Sequence, residues 1–151
     1  HKITSNEMKL RWHILERSNA QDWENALKEW RVTGFRDEEY THCPCGQQIV
    51  ERCFLLNIDT QIEIFVGNVC VQKFMGVEIK EVLSPYKKLL KAPETTVISP
   101  RLVKFASDNG YLYGNEEFFL MSIQHKKHLS PAQLSWLKKI NHRIINRTKV
   151  T

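Results

Sequence analysis

The sequence predicts an α+β protein: a β-hairpin stapled by cysteines and flanked by helices, with a small C-terminal helical unit. Three observations carry this. All four cysteines fall within 28 of the 151 residues. Two short segments among them have strand character. On both sides of them, apolar residues recur at threes and fours, the helical period.

Residues 5–32 read as helical, because Trp12, Leu15, Trp23, Ala26, Leu27 and Trp30 follow that spacing. Ser18-Asn19 and Asp22 are the expected division into two helices, and Gly34 the expected stop. Trp23 and Trp30, seven residues apart, would share one face and pack it onto the cysteine module. Stacking on bases or on a partner's surface is the alternative use of those rings. Residues 49–56 are rich in Ile, Val, Phe and Leu and read as a strand. Asn57-Ile58-Asp59-Thr60 supplies turn chemistry, and residues 61–65 alternate polar and apolar, completing a hairpin. Gly67-Asn68 breaks the strand, and residues 69–74 begin a short helix with Cys70 in its first turn.

Residues 77–91 predict a helix with Pro85 as a kink or a second start. Residues 93–99 predict a linker, so the expected domains are 1–92, containing the cysteine module at 41–76, and a helical unit at 100–151. In that unit, residues 100–109 form a helix stopped by Asn109-Gly110. Asn115 caps a second helix reaching about Lys126, and Ser130-Pro131 starts a third that runs to about Arg147. Leu134, Leu137, Ile140 and Ile144, with Phe119 and Ile123, form the expected shared core.

The cysteines carry the chemistry. In Cys43-Pro44-Cys45-Gly46, Pro44 fixes φ and Gly46 permits a left-handed residue, so two thiols and several N–H groups converge. Paired thiolates need a cation to stay ionised, and Zn²⁺ supplies it. At Cys70, the positive end of a helix favours a third thiolate. Two disulfides would suit a small secreted scaffold, but no secretory signal is read at the N-terminus, and Cys43 and Cys45 are too close to bridge. Knuckle, hairpin and helix start follow the order of a zinc-stapled, treble-clef-like site. Cys43, Cys45 and Cys70 are the expected ligands. Cys53 is the expected fourth, because it leaves no stray thiol, and His42 is its alternative. Four thiolates leave no open position, so the zinc is read as structural.

The string Cys43-Pro44-Cys45-Gly46, Ile49, Cys53, Asn57, Val66-Gly67-Asn68-Val69-Cys70 and Phe74 resembles a small zinc-binding module. That module recurs in uncharacterised proteins of phages, mobile elements and large DNA viruses. The resemblance spans residues 41–76 and implies zinc and a setting around DNA metabolism. It implies no catalytic activity.

Charge divides the chain. Residues 1–77 carry 9 basic and 11 acidic side chains, whereas residues 78–151 carry 13 and 6. No acid follows Glu117. Lys139, Arg143 and Arg147 fall at i, i+4 and i+8 of the last helix, with Lys138 and Trp136 beside them and Lys126 and Lys127 just before it. Like charges in one stripe repel by a few tenths of a kcal/mol per pair, which fits a polyanionic ligand. A basic, solvated helix face is the plain alternative.

These features predict a non-enzymatic, zinc-stabilised nucleic-acid-binding accessory protein. Its contacts would be Lys126, Lys127, Trp136, Lys138, Lys139, Arg143 and Arg147, with DNA favoured over RNA. The alternative is an adaptor that engages a host or replication protein through its Trp-bearing helices or the hairpin edge at 61–65. A nuclease-type enzyme ranks third, since no catalytic constellation is found. No apolar run approaches the roughly 18 residues that cross a bilayer. An intracellular setting is expected, in the cytoplasm, or the nucleus of a eukaryote.

Overall fold

The computed structural model describes residues 2–150, with the side chains of all of them except Phe74, Val77 and Glu78. His1 and the Phe74 side chain, the last position of the resemblance, lie outside what is described. The chain is α+β and divides into two compact units, His1–Val77 and Glu78–Thr151.

The first unit opens with helix α1 (Ser5–Glu16), capped by the Thr4 hydroxyl, which accepts from the Glu7 N–H at 3.1 Å. A short helix α2 (Trp23–Leu27) follows, capped by Asp22. Strand β1 (Trp30–His42) comes next, where a continued helix was expected. The apolar period running through Leu27 and Trp30 crosses the end of α2 and a turn. Beyond it, Trp30, Val32, Thr33 and Phe35 are β-formers that suit a pleated surface. Gly34 does not stop a helix. It sits where the β1 register shifts, between Val32 and Gly34. Trp23 and Trp30 therefore do not share a helix face, and the Trp30 indole donates to the Ser18 hydroxyl at 2.8 Å.

Strands β2 (Gln48–Asn57) and β3 (Glu63–Gly67) make the expected hairpin, so the sheet is three-stranded and antiparallel, ordered β1-β2-β3. Cys53 pairs with Phe35 on one side and Val66 on the other. Phe35, Cys53, Leu55 and Val66 are all buried, and with Leu10, Ile14 and Ala26 they build the core of this unit. Glu29 is buried beside them. Its carboxylate accepts from the Asn19 and Ala20 N–H groups, both at 2.7 Å, and from the Asn57 amide at 3.0 Å. Burial opposes its charge, but these donors outweigh burial and hold its carboxyl below the usual range.

The second unit contains helices α4 (Val77–Lys91), α5 (Pro100–Asp108), α6 (Glu116–Ser122) and α7 (Pro131–Ile145), following α3 (Asn68–Met75) of the first. The boundary thus falls at the start of α4 rather than at 93–99. The Tyr86 hydroxyl of α4 donates to the Ile144 carbonyl of α7 at 3.0 Å, and Tyr86 meets Phe105 edge to face. Residues 93–99 are no free linker either. Ile98 is buried, and the Asn141 amide donates to the Pro93 and Thr96 carbonyls at 3.0 and 2.8 Å. Among the expected core residues, Phe119, Ile123, Leu137, Ile140 and Ile144 are buried, whereas Leu134 is exposed.

Candidate metal centre

The knuckle is a tight turn. The Gly46 N–H donates to the Cys43 carbonyl at 2.8 Å, and the Cys43 N–H donates to the Gln47 carbonyl at 2.9 Å. Gly46 has φ +100°, a conformation that side chains other than hydrogen resist. Across from the turn, Gly67 ends β3 and stands at the N-cap of α3, which places Cys70 in the first helical turn. These two devices bring three sulfurs together: those of Cys43, Cys45 and Cys70 all lie within 4.8 Å of one another.

The Cys43 and Cys70 sulfurs are 3.6 Å apart. A disulfide would need about 2.0 Å. Two sulfurs bound at 2.3 Å to one tetrahedral ion stand about 3.8 Å apart, which the observed spacing matches. The Gly67 N–H points at the Cys43 sulfur from 3.3 Å. The Cys70 thiol lies against that sulfur, and with the Gly67 and Cys45 N–H groups it outweighs burial and pulls Cys43 down to about 5. Cys70 is pushed up, since its own proton is held against the Cys43 thiolate and burial disfavours a second charge. A cation at this point would displace the remaining thiol protons to solvent and let all three sulfurs ionise. The donor set therefore fits a soft or borderline metal ion.

Cys53 does not join this group. It is fully buried among apolar side chains, which push its thiol well above the usual value. Strand alternation explains the separation. Cys53 shares its face with Val66, while the next residue, Gly67, turns to the other side. A Cβ built on Gly67 would sit 3.9 Å from the Cys43 sulfur. His42 is exposed, paired with Gln48 at the end of β1, and is not in the group.

The predicted nucleic-acid contacts separate into three sets. Lys126, Lys127, Lys138 and Lys139 are exposed, and Lys138 pairs with exposed Glu94 at 2.8 Å. Arg147 is half-buried just past α7, with a left-handed φ of 52°. Arg143 and Trp136, expected on the outer face, are held by the buried carboxylate of Glu116. Arg143 donates to it at 2.5 and 3.3 Å and to the Tyr111 carbonyl at 2.8 Å. The Trp136 indole donates to it at 2.8 Å and stacks on Phe119 at 4.1 Å. Burial opposes the Glu116 charge, but Arg143, the Tyr113 N–H and Trp136 together hold its carboxyl below the usual range. Sequence spacing alone missed this pair, because its members stand 27 residues apart.

Sequence spacing also missed a cleft of about 730 Å³ onto which Cys45 and Cys70 open, lined by Glu7, Arg11, Trp23 and Lys73. No helix among the described residues is long and apolar enough to cross a membrane. Comparison with family models, curated proteins and solved structures returns no match for the chain.

Proposed function

We propose that this chain is a zinc-held accessory protein that binds nucleic acid, DNA in preference to RNA, without catalysing a reaction. One observation carries the reading. The 34 residues after Glu117 contain no acid, and four of their cations, Lys126, Lys127, Lys138 and Lys139, stand exposed. The Lys138–Glu94 pair is a surface pair of small worth, so a phosphate can take the place of Glu94. Zinc at Cys43, Cys45 and Cys70 ties the knuckle to the start of α3, and so stabilises a unit with a small core. The resemblance to modules of phages, mobile elements and large DNA viruses supports zinc, a DNA setting and an intracellular site of action.

The test is a salt series of binding to random single- and double-stranded oligonucleotides. The affinity should fall steeply with salt. Replacing Lys126, Lys127 and Lys139 together by Ala should flatten the logarithmic slope by about 2.7 on duplex and about 2.1 on single strands. An affinity indifferent to salt sinks the reading. A second reading, a protein-interaction adaptor, is favoured by Met8 and Trp12. They stand one turn apart on α1 and are 62% and 66% exposed. Direct, nuclease-resistant binding of a purified replication protein, lost in Trp12→Ala, would support it.

A further inference from the structure

We propose that the metal held by Cys43, Cys45 and Cys70 keeps its fourth coordination position for an oxygen ligand from solution: water at rest, displaced by a small carboxylate or phosphate. This rests on the metal reading above and adds a fourth ligand to it.

Three observations lead there. The sulfur group has three members among the described residues, and Cys53 is turned into the core on the far side of the sheet from Gly67. A four-coordinate ion with three protein ligands has one position left, the arrangement of sites that accept an outside ligand. Two of the three ligands, Cys45 and Cys70, line the cleft of about 730 Å³, which has room for a small molecule.

The charge of that cleft selects the ligand. Arg11 lies over the Trp23 ring, 4.9 Å from its centroid, which holds its guanidinium at the cleft wall. Lys73 follows Cys70 by three residues on α3, so the two lie on neighbouring faces of the helix, and both line the cleft. Glu7 is the acidic residue of the lining, against these two cations. Three thiolates and a divalent ion leave one negative charge. Arg11 and Lys73 offset that charge and the charge of Glu7, and guanidinium and ammonium groups both pair with oxyanions.

The full chain loaded with Co²⁺ supplies the test. X-ray absorption should count three sulfurs and one oxygen per metal. The visible spectrum should shift, saturably, when inorganic phosphate or acetate is added. The two titrations tell a phosphate ligand from a carboxylate. In Arg11→Gln/Lys73→Gln, the better of the two anions should bind about tenfold more weakly or worse, with the sulfur count unchanged. Cys53→Ala should keep the metal, whereas Cys70→Ser should lose it. Because Cys53 is a core residue, the sulfur count of the unmodified chain decides the matter whatever that variant does. Four sulfurs overturn the proposal, as does a spectrum indifferent to both anions. Failure to bind Co²⁺ or Zn²⁺ at all overturns the metal reading itself.

Discussion

Replacing Glu116 by Gln removes a charge on which three other groups depend. Glu116 is 2% exposed, and its carboxylate takes hydrogen bonds from Arg143, from the Trp136 indole and from the Tyr113 N–H. Gln keeps the shape but turns one acceptor into a donor that faces other donors. It also leaves Arg143, whose side chain is 17% exposed, without its counter-charge. Breaking one side of a buried pair costs 3–5 kcal/mol. Arg143 retains the Tyr111 carbonyl and the Tyr113 ring at 4.8 Å, so the lower end, about 3 kcal/mol, is expected here. For a unit of this size that corresponds to a fall in Tm of about 12–24 °C, read by calorimetry and by loss of helical circular dichroism. A cycle with Arg143→Met should recover about 2 kcal/mol in the double variant, because the stranded cation is gone. If Glu116→Gln melts within about 3 °C of the parent, the pair is not a cornerstone of the unit and the reasoning fails.

Three further outcomes follow from the same geometry. Gly46→Ala should cost about 1–2 kcal/mol through its positive φ alone, since its new methyl group would meet nothing closer than 3.7 Å. Metal affinity measured by competition with a chelator should fall with it. Ser130→Ala should cost about 1 kcal/mol, because its hydroxyl accepts from the Gln133 N–H at 3.1 Å in a capping box; thermal melts of the variant check this. Acid should destabilise both units. Glu29 and Glu116 are depressed in the folded state, so their contribution is full above the ordinary carboxyl value of about 4.3. It is lost as pH falls through their lower folded values. Urea midpoints measured from pH 6 down to pH 3 should show that decline, and it should shrink in Glu29→Gln and Glu116→Gln.

What could be read in advance was what the chain decides locally. The last helix was legible because Ser130-Pro131 writes its start, and α5 because Asn109-Gly110 writes its end. The hairpin and the three gathered thiols followed from turn residues and spacing. Strand β1 was hidden because the apolar rhythm of α2 runs on past Leu27 and masks the β-formers Val32 and Phe35, which pair with β2. The position of Cys53 was hidden too. Phe54 and Leu56 are as apolar as Cys53 and Leu55, so the pattern could not say which face was core. The inward turn of Arg143 depends on a carboxylate brought from another helix, and helical spacing alone carries no trace of it.

Gly67 joins events that are usually separate. It closes β3 opposite Arg52, opens α3, and directs its N–H to the Cys43 sulfur. A slip of β3 by a single residue would carry Cys70 about 3.3 Å along the sheet and reverse which side Gly67 presents. The three sulfurs would then fail to meet. A metal that demands all three would therefore act as a proofreader of strand pairing, stabilising one alignment of β2 with β3 and none of its neighbours. Refolding with metal present should then yield fewer misaligned chains than refolding followed by its addition.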